Sequence, residues 1–179
     1  MTKNNKIVIA GLAMAATSLL LLSSCASIPE KATAVKNFNK DKYLGKWYEI
    51  ARLDFKWEKN LNNTTAEYSL REDGKIKVVN RGFNYKTNEQ KESIGKAKFV
   101  GVATEAKLKV SFFGPFYSGY NVVAIDPDYK YALVCGKNLD YLWILSREKT
   151  IPENIKTDYL YKAKAIGYNI DDLVWVKHD

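Results

Sequence analysis

The chain has 179 residues, with 28 lysines and arginines against 20 aspartates and glutamates, a formal charge of +8. One histidine and two cysteines leave almost no material for a histidine-based triad, a histidine-rich metal site or a disulfide framework. The basic residues are spread rather than clustered: Lys75, Lys77, Lys107 and Lys109 alternate with apolar neighbours, which fits a solvated sheet face and excludes a nucleic-acid stripe.

The amino end carries Lys3 and Lys6, then a sixteen-residue uncharged run from Ile7 to Leu22, then Ser23, Ser24 and Cys25. A positive n-region followed by a short apolar stretch is an export signal, and sixteen residues fall short of the roughly 20 that a bilayer span needs. Small residues ending in cysteine resemble the bacterial lipobox, which implies cleavage before Cys25 and acylation of its thiol and amino group. Three acyl chains, at about 0.8 kcal/mol per buried methylene, make such an anchor effectively permanent. Ala26, where an aspartate would retain the protein, implies delivery to the outer membrane. Ordinary cleavage nearby, leaving Cys25 as a free thiol, is the alternative.

Removal of residues 1–24 leaves 155 residues and a charge of +6, enough for one domain with its own core. Residues 25–39 contain charges, a proline and little periodicity, which suits a tether, and residues 40–179 form the domain. Within it, alternating runs with turn punctuation predict strands at 45–54, 64–72, 75–83, 92–100, 105–113, 119–126, 129–136 and 141–147. Asp73-Gly74 marks a tight hairpin. Thr150-Ile151-Pro152-Glu153 predicts a capping box opening a helix, with Ile155, Tyr159, Ala163 and Ile166 on one face and Gly167 as its stop. Residues 119–126 and 132–134 are apolar on both faces and offer that helix a seat, and 173–176 reads as a last short strand. The predicted fold is all-β: an eight-stranded antiparallel up-and-down β-barrel with one C-terminal α-helix packed outside, against a β-sandwich as the rival. Cys135, in a strand-like run, reads as a buried inert thiol.

Gly45-Lys46-Trp47-Tyr48-Glu49 resembles the G-x-W signature that opens the lipocalins, Asp126-Pro127-Asp128-Tyr129 their T-D-Y turn, and Ser146-Arg147 the arginine that ends their last barrel strand. Asp126 at the threonine position leaves the second motif partial. Residues 43–52, 110–117 and 140–147 resemble more narrowly the bacterial lipocalins that are outer-membrane lipoproteins, and the similarity covers 37–177. The resemblance implies that Arg147 packs on Trp47 as a cation–π lid closing one barrel end, a structural role. Strand parity turns Ala66, Tyr68 and Leu70, Ile76 and Val78, Ala97 and Phe99, Leu108, Val110 and Phe112, and Tyr141, Trp143 and Leu145 inward. Of these Tyr68, Val78, Phe99, Val110, Phe112, Tyr141 and Trp143, together with Tyr117 at the mouth, are expected to touch ligand. Phe55, Trp57, Tyr85 and Phe116 are expected around the mouth with Tyr117.

The resemblance implies a membrane-tethered cup for a fatty acid or a lysophospholipid, storing or transporting lipid in the cell envelope and facing the periplasm from the outer membrane. Burial of acyl methylenes would supply the affinity and polar rim groups would choose the head. No catalytic residue, metal ligand or cofactor is read from the sequence. A structural lipoprotein with a filled barrel and a lipid-modifying enzyme stay open as alternatives, as does a homodimer.

Overall fold

A computed structural model describes residues 28–179; the export segment and Cys25 lie outside the described residues. A four-residue helix, Lys40–Tyr43 (α1), leads into Gly45–Leu53 (β1), Leu61–Leu70 (β2), Ile76–Asn84 (β3), Glu89–Phe99 (β4), Lys107–Ser111 (β5), Ser118–Ile125 (β6), Tyr131–Cys135 (β7) and Leu142–Ser146 (β8). Glu153–Ile166 (α2), a short 3-10 turn and Leu173–Trp175 (β9) complete the chain. Each of the eight barrel strands pairs antiparallel with the next, and β1 pairs with both β2 and β8, which closes the sheet on itself. The sandwich is thereby excluded.

β1 pairs with β2 only from Gly45 to Tyr48. Beyond that β1 and β2 splay apart, and β9 fills the gap by pairing Leu173–Trp175 with Leu53 to Ala51. Val176 N–H donates to Ile50 O at 3.0 Å, and Asn63 N–H donates to Lys177 O at 2.9 Å. The carboxyl-terminal segment thus supplies partners to two strands that would otherwise expose their backbone groups.

Successive hairpins put the start of β1 and the β2–β3, β4–β5 and β6–β7 turns at one end, and the other four connections at the opposite end. The first end is closed. Trp47 is fully buried, and the Arg147 guanidinium carbon lies 3.8 Å from the centroid of its ring. That guanidinium donates to five backbone carbonyls: Nη2 to Lys42, Tyr43 and Leu44 at 2.8, 3.1 and 2.9 Å, Nη1 to Lys46 at 2.7 Å, and Nε to Tyr129 at 3.2 Å. One side chain therefore ties α1, β1 and the β6–β7 turn together. In that turn the Asp126 carboxylate accepts from the N–H groups of Asp128, Lys130 and Tyr131, so the residue that departs from the threonine pattern caps the turn itself.

Residues 28–39 are not the free tether that their composition suggested. Val35 N–H donates to Val122 O at 2.9 Å, Ala106 N–H donates to Val35 O at 2.8 Å, and Phe38 N–H donates to Thr104 O at 2.8 Å. Phe38 is buried against Tyr43, Phe99 and Tyr129 and forms part of the barrel floor. Three small or aromatic residues, Ala32, Ala34 and Phe38, carry this docking, too few and too irregular to register as a periodic element.

α2 sits on the outer face of the barrel. Tyr159 and Ala163 bury themselves against Ile50, Ala51, Ala124, Leu133, Cys135, Leu142 and Ile144, which explains why β6, β7 and β8 are apolar on both faces. The predicted capping box does not form. The helix begins after Pro152, with no side-chain cap, and the Thr150 carbonyl instead accepts from Ser146 Oγ at 2.8 Å. Gly167, at φ 116°, ends the helix in a left-handed conformation that favours glycine. Cys135 is fully buried beneath the helix, and burial pushes its thiol up to about 11.

Candidate ligand cavity

A cavity of about 380 Å³ runs into the barrel from its open end. That volume lies within the roughly 300–1,000 Å³ of small-molecule sites. Its walls come from side chains that alternate into the barrel: Ala66 and Tyr68 on β2, Ile76 and Val78 on β3, Ala97 on β4, Leu108 and Val110 on β5, and Trp143 and Leu145 on β8. Phe112, Tyr117 and Tyr141 line it just beyond the ends of β5, β6 and β8, and Phe55, Trp57 and Phe116 stand at the mouth.

Two residues expected at the cavity lie elsewhere. Phe99 is half-buried at the floor, its ring 6.3 Å from that of Phe38, which stands between it and the hollow. Leu70 is exposed at the end of β2, where the hairpin runs past the closed floor. Tyr85 is exposed in the β3–β4 turn at the open end, outside the cavity lining, its hydroxyl donating to Asn60 Oδ1 at 3.3 Å. Parity gives the correct face for Phe99 and Leu70 but not the depth at which the barrel is plugged.

Two polar stations interrupt the apolar wall. At the floor, Tyr120 shares hydrogen bonds with Tyr43 (2.6 Å) and Tyr68 (2.7 Å) through the three hydroxyls. Burial raises all three phenols above the ordinary tyrosine value, so the trio is neutral. Ser111 Oγ and Asn80 Oδ1 are also buried in the lining without a protein hydrogen-bond partner.

Nearer the mouth lies a cluster of charge. Arg52 Nη1 donates to Glu49 Oε1 at 2.7 Å, Arg52 Nη2 donates to the Glu58 carbonyl at 2.7 Å, and Trp143 Nε1 donates to Glu58 Oε2 at 3.1 Å. Glu49, Arg52 and Glu58 are all buried, and the more exposed Asp54 lies 3.5 Å from Arg52 Nε, which puts three carboxylates around one guanidinium. The tight pair is Glu49 with Arg52. Burial and the nearby Glu49 charge push Glu58 up to about 8, so Glu58 holds its proton at neutral pH. Around it Phe55, Tyr141 and Trp143 pack edge-on and stacked, at centroid separations of 5.4, 5.9 and 6.1 Å.

The sequence hid this cluster for a structural reason. A β-bulge between Glu49 and Ala51 shifts the parity of β1, turning Ala51 outward and bringing Arg52 back to the inner face beside Glu49. Glu58 stands in the β1–β2 connection, where no periodicity applies. Tyr120, by contrast, shares the inward parity of Val122 on β6 and could have been assigned from alternation.

Because Glu58 binds its proton more tightly folded than unfolded, stability falls as pH rises from 4.5 to about 8. The sign follows from proton count: in that window the folded state holds a proton that the unfolded chain has lost. The slope is at most about 1.4 kcal/mol per pH unit. Glu58→Gln keeps the acceptor for Trp143 and removes the titration, so its melting temperature should vary less between pH 5 and 8 than that of the parent chain. An unchanged slope in thermal melts would contradict the assignment.

Residues 38–178 match the model of the lipocalin-like domain. The chain is 49% identical over 168 residues to the outer membrane lipoprotein Blc of Escherichia coli (strain K12), covering 93% of this chain and 95% of that one. It is 45% identical over 159 residues to the outer membrane lipoprotein Blc of Vibrio cholerae serotype O1, covering 88% and 93%. Insecticyanin from the tobacco hornworm Manduca sexta superimposes with a TM-score of 0.67 at 19% identity, covering 86% of this chain and 87% of that one, a likeness of fold alone. With the closed eight-stranded barrel, the lid of Arg147 on Trp47 and a match spanning nearly the whole domain, the chain belongs to the lipocalin family.

Proposed function

We propose that this lipocalin is a carrier for one fatty acid or lysophospholipid, held with its acyl tail in the barrel and its head at the mouth, and that it stores or transports lipid in the bacterial envelope. The observation that carries the reading is an apolar hollow of about 380 Å³ that is closed at one end and open at the other. A barrel filled by its own side chains would have none. Each methylene moved from water into that wall contributes about 0.8 kcal/mol. Tyr68, Val78, Val110, Phe112, Tyr117, Tyr141 and Trp143 line the hollow and are the proposed contacts. Trp47 and Arg147 hold the closed end and do not line the cavity.

Binding rather than catalysis fits the chemistry of the wall. His178, the one histidine, is spent outside the cavity, with its Nε2 2.8 Å from the Glu49 carbonyl oxygen. Titration with a fluorescent fatty acid tests the carrier reading: saturable uptake at one per chain, displaced by lysophospholipid, is expected. Uptake that never saturates would overturn it.

The reading includes acylation at Cys25, attachment to the outer membrane and a periplasmic orientation. Among the described residues no helix is long and apolar enough to cross a membrane. The outer membrane lipoproteins of E. coli and V. cholerae, by their names, share the location proposed here. A thiol count provides the test. In protein extracted from membranes, Cys135 is buried and protonated, and an acylated Cys25 has no thiol. Ellman's reagent should therefore find none in the folded chain and one after unfolding in denaturant. Two thiols after unfolding would show Cys25 to be free.

A further inference from the structure

We propose that the open end of the barrel docks on a phospholipid bilayer bearing anionic headgroups, so that the cavity opens directly onto the membrane surface. The proposal goes beyond the carrier reading, which fixes what enters the cup but not what the cup faces.

All four connections at the open end carry large apolar side chains in water. Trp57 in the β1–β2 connection is 65% exposed, Phe113 and Phe116 in the β5–β6 connection are 67% and 79% exposed, and Tyr85 and Leu139 stand out from the β3–β4 and β7–β8 turns. The Trp57 and Phe113 rings meet at 5.7 Å, so two separate connections form one continuous aromatic edge. Among the described residues, the closed end offers two large exposed apolar side chains, Leu70 at the end of β2 and Val102 in the β4–β5 turn, neither of them aromatic. Folding alone gives no reason for this asymmetry, because exposed rim aromatics bury nothing.

The open-end connections are also basic. The exposed charged residues of the open-end connections are Lys56, Lys59, Lys86 and Lys137 against Asp54 and Asp140. Lys56 Nζ lies 4.4 Å from the Trp57 ring centroid and Lys86 Nζ 5.8 Å from that of Tyr85. Aromatic rings with lysines beside them suit the boundary between acyl chains and headgroups, where the ring enters and the ammonium meets phosphate.

The path of the chain agrees. Ile28 and Pro29 lie beside Lys137, Asn138 and Leu139 of the β7–β8 turn, so the described chain begins on the open-end side. Cys25 is three residues before Ile28, no more than about 11 Å of extended chain. An anchor at Cys25, which rests on the acylation proposed above, would hold the mouth and not the floor against the bilayer.

The test uses the exported, acylated full chain in vesicles of phosphatidylethanolamine and phosphatidylglycerol, with an NBD probe on Phe116→Cys or, at the closed end, on Val102→Cys. Brominated acyl chains are expected to quench the probe at 116 at least twofold more than the probe at 102. Lys56→Glu with Lys86→Glu should reduce that quenching in the phosphatidylglycerol vesicles but not in phosphatidylcholine vesicles. Equal quenching at the two positions would overturn the docking, as would shielding of the 116 probe that needs no vesicles and grows with protein concentration, since that would put a second copy on the rim. Quenching indifferent to the lysine changes would overturn the anionic part. Fatty-acid uptake is measured separately on the same protein, so a cup that fills with its mouth in water contradicts only the docking, and a docked mouth that takes up nothing contradicts only the carrier.

Discussion

A Val110→Trp chain is expected to lose at least tenfold in affinity for a fatty acid while keeping its fold. Val110 lies on β5 opposite Ala97 of β4, and both side chains line the hollow. An indole there would occupy a substantial part of about 380 Å³ and take the place of the inserted tail. Tenfold corresponds to about 1.4 kcal/mol, less than the contribution of two methylenes at about 0.8 kcal/mol each, so even partial blocking should reach it. The fluorescent-ligand titration reads the affinity, and thermal melting separates a blocked cavity from a damaged barrel. Uptake unchanged in a chain that melts normally would mean that ligand does not enter by this hollow.

Arg147→Ala is expected to have the largest effect on stability, about 3 kcal/mol. The substitution removes a guanidinium stacked at 3.8 Å on Trp47 and leaves five carbonyls from α1, β1 and the β6–β7 turn without their shared donor. At roughly 2–4 °C per kcal/mol for a domain of this size, the melting temperature should fall by about 10 °C. Arg147→Lys keeps the charge but cannot span carbonyls so widely spaced, and it should recover less than half of the loss. Urea unfolding of the three chains decides the matter. A loss below about 0.5 kcal/mol for Arg147→Ala, the range of an ordinary surface change, would show that the lid does not hold the barrel shut.

These two residues also mark what could be read before any coordinates. Val110 shares the parity of Leu108 and alternates with Lys107 and Lys109, and a period of two in a closed barrel turns only one set inward, so its position follows from the sequence. The pairing of Trp47 with Arg147, a hundred residues apart, followed from family resemblance and not from spacing. Tyr68, Val78 and Trp143 line the cavity for the same reason as Val110.

The remainder depended on events that break periodicity. A bulge in β1 brought Arg52 beside Glu49, and a turn in the β1–β2 connection brought Glu58 under Trp143. The depth of the floor decided that Phe99 and Leu70 would not reach the hollow, and that depth is set by Phe38, which belongs to a segment that composition assigns to a tether. α2 opens after Pro152, and proline as the residue before the helix offers no side-chain acceptor for a cap. For Glu58 and Phe38 a long-range contact overrode a local signal.

The central claim, that an amphiphile occupies the barrel, is tested most directly by native mass spectrometry of the protein taken from its own membranes. The account predicts a population heavier than the acylated chain by the mass of one fatty acid or lysophospholipid, and loss of that population in Val110→Trp. Bare chain alone, together with no saturable uptake once the protein is stripped of lipid, would contradict it.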